Sequence, residues 1–280
     1  MTDTVLSEKQ KIERDYYNRI VHDKWDTFSL KVDAKVPPFG NYSGDLLDAA
    51  CGYIGLVAEK RILEIGCGNG ELSVWLAENG AEVWGLDISD ESIAIAERRA
   101  RENGVSERAH FIVGPGETTG QPDAFFDVVF IAVSLHHLIV EDALKEIRRV
   151  LKPSGVFVAI EPFVFLTMVQ RIRLSRLVQR LYPERRETPT ERILYPGDLQ
   201  LIRQTFPHLE YRPYRIFSPF LFKMKPLFFA LANMVYRREP DVETRRKKLN
   251  RAAERCDERL LRMLPGLRVF SRYIVFRAAA

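Results

Sequence analysis

Three glycines spaced two apart, Gly66, Gly68 and Gly70, close the apolar run Arg61-Ile-Leu-Glu-Ile65, and the carboxylate of Glu64 stands beside them. Glycine tolerates positive φ and lets main-chain N–H groups approach a ligand with no Cβ in between, so this stretch suits a bulky, nucleoside-bearing ligand. A dinucleotide fingerprint needs Gly-x-Gly-x-x-Gly. Here the third glycine falls one residue early and Glu71 takes its place, which disfavours NAD. Glu64 suits a cationic group, a sulfonium or an amino-acid moiety, better than a pyrophosphate. A second acid, Asp87, ends the next apolar run, Ala81–Asp87; an acid at that tip in a nucleoside-binding α/β domain accepts hydrogen bonds from ribose hydroxyls.

Two further stretches carry titratable groups. Phe126–Leu138 ends in Ser134-Leu-His136-His137, and imidazole titrates near neutral pH, so either histidine suits a general base. Neighbouring residues point in different directions, so one histidine is expected to face the ligand and the other to pack. Glu161, before Pro162, is a second candidate base, a grip for a substrate hydroxyl, or a cap on a neighbouring helix. The three cysteines, Cys51, Cys67 and Cys256, lie far apart without Cys-x-x-Cys or Cys/His spacing, so neither a disulfide framework nor a metal site is expected.

Glu64-x-Gly66-x-Gly68-x-Gly70, followed by Asp87 at the tip of the next strand, resembles the cofactor signature of the class I S-adenosylmethionine-dependent methyltransferase superfamily. The resemblance covers roughly residues 45–162 and the last hairpin. It implies S-adenosyl-L-methionine held by Glu64, Gly66, Cys67, Gly68, Gly70, Asp87, Ile88, Gly116, Glu117 and Ser134, with His136, His137 and Glu161 as catalytic candidates and no metal. Phe111–Glu117 is similar to the adenine-binding loop, with Pro115 where an acid commonly stands; the Gly116 N–H or the Glu117 carboxylate substitutes, or Glu117 is a solvated loop residue. The loop after residue 133 lacks Asn/Asp-Pro-Pro-Tyr/Phe, which lowers the expectation of DNA-adenine or glutamine targets. Leu151-Lys-Pro-Ser-Gly155 matches a turn of the superfamily in which proline ends a helix. The Glu161-Pro162 strand end, Thr188-Pro-Thr-Glu-Arg192 and the helix starting at Tyr195, with Asp198 in it, are similar to small-molecule methyltransferases of quinone and natural-product pathways.

The elements that must position these groups alternate: strand 61–65, helix 71–79, strand 82–87, helix 90–104, strands 109–113 and 126–133, helix 141–151, strand 155–161. Such alternation implies a parallel sheet with helices on both faces and ligands at the carboxyl ends of the strands. The expected fold is α/β: a Rossmann-like seven-stranded sheet, mostly parallel, with a C-terminal antiparallel hairpin (209–217 and 267–277) and helical cap insertions at 163–208 and 218–266. Residues 1–44 are expected to form a helical lid over a core at 45–162. Within it, helix 7–32 packs through Ile12, Tyr16 and Ile20, and the lid analogy adds Tyr16, Tyr17 and His22 as active-site candidates. The apolar stretch Phe217–Tyr236 is read as cap core, acceptor pocket or dimer face, or a membrane-surface helix.

The 280 residues are 46% hydrophobic, enough for a sizeable core, and carry net charge +4. That charge is uneven: residues 162–280 hold 25 Lys+Arg against 11 Asp+Glu, leaving 17 against 27 before them. The basic half suggests an acceptor with an anionic group, an acidic lipid surface or nucleic acid, although solvated helix faces account for most of the arginines. The polar start of the chain has no apolar signal core, so a cytoplasmic setting is expected. The expected activity is methyl transfer to a small apolar or amphiphilic acceptor, with O- or C-methylation favoured. Homo-oligomerisation and a peripheral membrane contact stay open. The rivals are an RNA-modifying methyltransferase and a non-catalytic S-adenosylmethionine-binding partner protein.

Overall fold

The computed structural model describes residues 6–25, 28–35, 38, 44–166, 192–215, 230, 233–237 and 242–279. Of the cap insertion expected at 163–208, residues 167–191 lie outside them, as does most of the 217–236 stretch; Phe163, at its start, forms an isolated parallel bridge with Leu194. The sheet order is β3-β2-β1-β4-β5-β7-β6, with β1 Arg61–Ile65, β2 Glu82–Asp87, β3 Ala109–Val113, β4 Phe126–Ala132, β5 Leu151–Pro162, β6 His208–Tyr214 and β7 Tyr273–Ala279. Strands β1 to β5 are parallel, and β7 runs antiparallel between β5 and β6. The order reverses between β1 and β4, and that switch point puts their carboxyl ends side by side with a crevice between the following loops.

Alternation along β4 builds both layers of the core. Val129 and Ile131 join a cluster with Leu144 and Ile147, and Val128 and Phe130 join another with Leu46, Leu47 and Val74. The first cluster belongs to helices α5 (Val140–Val150) and α6 (Pro196–Thr205), the second to α2 (Gly44–Ile54) and α3 (Glu71–Glu78). Each such fully buried aliphatic side chain contributes ~1.5–3 kcal/mol, so the strand tips stand on a rigid support. Helix α6 begins where Asp198, fully buried, accepts hydrogen bonds from Arg192 (2.6 and 2.8 Å) and from the Tyr195 N–H (3.0 Å).

Three boundaries differ from expectation. Helix α1 spans Glu8–Lys24 and not 7–32; residues 28–35 instead run as a strap over α4 (Asp90–Asn103) and α3, with Arg99 and Asn103 donating to the Ser29 and Leu30 carbonyls. Strand β5 starts at Leu151, and the expected turn is a register shift opposite Phe126–Val128. Pro153 therefore does not end α5. Gly155 is required there by close approach, since a Cβ would lie 3.0 Å from the carbonyl oxygens of Lys152 and Phe126. Strand β7 starts at Tyr273 because Pro265–Phe270 forms a 3-10 turn after α7 (Val242–Met263). No helix among the described residues is long and apolar enough to cross a membrane.

Candidate active site

A cleft of about 890 Å³ opens at the carboxyl ends of β1, β2, β3 and β4 and is covered by α1. Its floor is the glycine turn. Gly66, Gly68 and Gly70 all take positive φ (74°, 51° and 72°), but they serve different ends. A Cβ on Gly66 would strike the Ser134 side chain, and one on Gly70 would sit 2.6 Å from the Ala96 Cβ, so these two are needed for packing. The Cβ position of Gly68 meets nothing within 4 Å and points to open space, which leaves room for a ligand against the backbone. Gly66, Cys67 and Gly68 line the cleft, whereas Gly70 does not. Arg99, buried, donates to the Asn69 carbonyl and ties this turn to α4.

Asp87 accepts from the Gly68 N–H (2.8 Å) and the Ser89 N–H (2.9 Å), which fixes its carboxylate across the turn while leaving lone pairs for a ligand. Burial raises its pKa, against the pull of those backbone N–H groups. Glu64, also buried, accepts from the Ser73 hydroxyl; burial pushes its pKa up to about 8, with the Ser73 hydrogen bond opposing and the Asp87 charge adding to the rise. Among the described residues neither carboxylate has an ion-pair partner. Burial likewise raises the Cys67 thiol, whose Sγ packs beside Gly85, 3.0 Å from where a Cβ would stand. Ile88 lines the same wall, half-buried.

The 114–117 loop after β3 and the loop after β4 meet at the other end. Gly116 is buried, where a Cβ would lie 2.7 Å from Ile65 Cγ2. Glu117 is not a solvated loop residue: it accepts from the Ile139 N–H (2.8 Å) at the start of α5 and from Gln10 Nε2 (3.0 Å) of α1. Val133, at the tip of β4, has φ 56°. A β-branched residue there is strained by ~1–3 kcal/mol, and the strain turns the chain so that Ser134 and His137 face the cleft.

The candidate bases separate sharply. Glu161 is fully buried behind the cleft wall, accepting from the Ser134 and Leu135 N–H groups (3.0 and 2.7 Å) and pairing with His136 Nδ1 at 2.7 Å. Neither Glu161 nor His136 lines the cleft, so the expectation that they reach a substrate is corrected: they brace the Leu135–His137 turn. His137 does line it. Tyr17 Oη lies 3.1 Å from His137 Nε2, and a Glu13 carboxylate oxygen 3.2 Å from Nδ1. The Glu13 contact is electrostatic, since its alignment falls short of a hydrogen bond.

Glu13 and Tyr17 belong to α1, whose inner face differs from expectation. Ile12 is exposed, and the residues lining the cleft are Lys9, Gln10, Glu13, Tyr17 and Val21. His22 stands in solvent beside Glu91, away from the cleft, and Tyr16 packs edge-on against Tyr17. The polar residues 10, 13 and 17 recur at helical spacing, a signal present in the sequence but masked by the apolar stripe at 12, 16 and 20.

Residues 63–159 match the family model described as a methyltransferase domain. A 27-O-demethylrifamycin SV methyltransferase from Amycolatopsis mediterranei is 38% identical over 136 residues, 48% of this chain and 47% of the relative. A demethylmenaquinone methyltransferase from Thermus thermophilus is 39% identical over 128 residues, 43% of this chain and 57% of the relative. The chain spans about half the length of the curated relatives it matches. Geranyl diphosphate C-methyltransferase from Streptomyces coelicolor shares the fold over 99% of both chains, with a TM-score of 0.60 at 15% identity. Residues 63–159 are thus similar to a methyltransferase domain, and they lie in a seven-stranded sheet whose β7 runs antiparallel between β5 and β6.

Proposed function

We propose that the protein transfers a methyl group from S-adenosyl-L-methionine to a small apolar or amphiphilic acceptor, at oxygen or carbon. The observation that carries this is the pair of carboxylates, buried Glu64 and half-buried Asp87, beside the open face of Gly68 with no cationic side chain paired to either among the described residues. A ligand that brings its own positive charge relieves that arrangement, and a dinucleotide pyrophosphate aggravates it. The names of the two relatives support a small-molecule acceptor, and the 25 Lys+Arg against 11 Asp+Glu in residues 162–280 support one with an anionic end.

When bound, the cofactor supplies an electrophilic methyl group on a good leaving group. Asp87 would hold the ribose hydroxyls, Glu64 would face the cationic part, and the backbone of Gly66, Cys67 and Gly68 would form the floor. Ile88 and Gly116 would enclose the adenine, with Glu117 and Ser134 setting the adjacent loops. Helix α1 acts as a lid over residues 45–162, excluding water and bringing Tyr17 and Glu13 to His137. The acceptor X–H gives its proton to Tyr17 Oη as the phenolic proton passes to His137 Nε2, and Glu13 stabilises the imidazolium that results. The acceptor atom relieved of its proton would then take the methyl group that the bound cofactor would supply. Positioning and desolvation supply much of the acceleration.

Calorimetric titration with S-adenosylhomocysteine, and with NAD as control, tests the reading. Micromolar binding of the first alone is expected, followed by transfer of labelled methyl to amphiphilic acceptors. A folded protein that binds NAD, or binds neither, overturns it.

A further inference from the structure

Helix α7 ends at Met263, and the 3-10 turn Pro265–Phe270 carries the chain towards β7. Four large apolar side chains stand in solvent here: Met263 is 77% exposed, Phe270 58%, Leu264 55% and Val269 37%. Arg259, Arg262, Arg268 and Arg272 are interspersed with them in the same stretch, all exposed, and no Asp or Glu follows Glu258 in this sequence. Among the described residues only Arg262 of these four has an acidic partner, Glu258 at 3.9 Å. The stretch 259–272 thus combines exposed apolar and exposed basic side chains.

We propose that this stretch docks on an anionic lipid bilayer, the apolar side chains entering the headgroup boundary and the arginines meeting lipid phosphates and carboxylates. Burying four large apolar side chains supplies affinity, and each arginine near a negative surface adds about fivefold. Two other occupants fit less well. A second copy seated on the same face by a two-fold axis sets four arginines against four. A nucleic acid neutralises the arginines but leaves the apolar side chains in water. The location gives the contact a use: only Ser271 and Arg272 separate the turn from Tyr273, which lines the cleft. A bilayer at this face therefore lies beside the cleft, where an apolar acceptor leaving the membrane crosses little water.

The test is sedimentation of the full chain with extruded vesicles, either phosphatidylcholine alone or phosphatidylcholine with about 30 mol % phosphatidylserine. The expected result is at least about tenfold stronger partition onto the anionic vesicles. The combined variant Met263→Ser, Leu264→Ser, Phe270→Ser loses about tenfold or more, and Arg259→Gln with Arg268→Gln loses about twentyfold. Both variants keep wild-type S-adenosylhomocysteine binding, which guards against simple misfolding. The proposal is overturned if the wild type ignores anionic vesicles, or if the apolar variant binds them as well as wild type, the mark of a polyanion contact. It is also overturned if the apolar variant abolishes a wild-type dimer in analytical ultracentrifugation while wild-type vesicle binding is absent. Vesicle binding without any S-adenosylhomocysteine binding strikes the proposed methyl transfer and leaves this contact standing.

Discussion

The two walls of the cleft are built on opposite principles. The sheet wall is backbone and buried core: glycines at positive φ, N–H groups on Asp87, strands packed on both faces. The wall formed by α1 is polar, with only Glu13 and Val21 of its helix buried. It is held to the strand tips by side chains, Lys9 to the Leu138 carbonyl, Gln10 to Glu117, Asn18 to Ser89 and Asp90, Tyr17 to His137. Burial lowers the pKa of Lys9 despite Glu117 and Glu13 nearby, so even the ion contacts of this wall are partly desolvated. The difference teaches that one wall exists in the fold at all times, whereas the other exists only while α1 is docked. Hydrogen bonds of ~0.5–1.5 kcal/mol each hold α1 there, so its docking is the weaker of the two constructions.

Substitutions on the two walls should therefore fail differently. His137→Ala is expected to lower kcat by about 10²-fold or more while S-adenosylhomocysteine binding in calorimetry stays within a fewfold of wild type. A parallel loss of cofactor affinity would show that His137 supports the cofactor floor and not only the contact with Tyr17 of α1. Gly66→Ala forces a Cβ onto Ser134 at φ 74°, and a cofactor-affinity loss of about thirtyfold, ~2 kcal/mol, is expected with some loss of stability. Asp87→Ala should weaken cofactor binding by ~1–3 kcal/mol in a protein whose thermal unfolding is little changed.

Acidity sharpens the comparison further, because the sheet wall carries a proton. With its pKa raised from 4.5 to about 8, Glu64 stays protonated in the folded protein across a range where the unfolded chain has released that proton. Its contribution to stability is thus present below pH 4.5 and declines as pH rises towards about 8, by at most ~1.4 kcal/mol per pH unit. A cationic cofactor favours the carboxylate, so affinity should rise between pH 6.5 and 8.5, by up to about tenfold per unit. Glu64→Gln should flatten both slopes; slopes unchanged in the variant would assign the proton elsewhere. The smallest effect is expected at Asn18→Ala. Amide exchange should speed up in α1 alone, by about fivefold for ~1 kcal/mol, with the core unaffected.

How much of this was legible beforehand depended on the range of the forces involved. Residues 61–87 could be read in full because strand, glycine turn and acid are contiguous and each obeys a local rule of φ or period. The end of α1 could not, because tertiary hydrogen bonds from Arg99 and Asn103 hold residues 28–35 extended as a strap. The start of β7 was missed for a similar reason: alternating apolar residues at 267–270 look like a strand, yet they form a 3-10 turn with its apolar side chains in solvent.

By itself the sequence determined the order of strands and helices, the glycine turn and the two acids that face it, since periodicity and backbone sterics act between near neighbours in the chain. Only the tertiary structure decided which of His136, His137 and Glu161 reaches the cleft, because that depends on β5 lying beside β4, where Glu161 takes His136 and the Ser134 and Leu135 N–H groups as partners behind the wall. It also decided that Glu13 and Tyr17, 120 or more residues before His137 in the chain for the Tyr17 contact, belong to the same site. Contacts between such distant segments follow from how the lid packs across the strand ends, which no local pattern encodes.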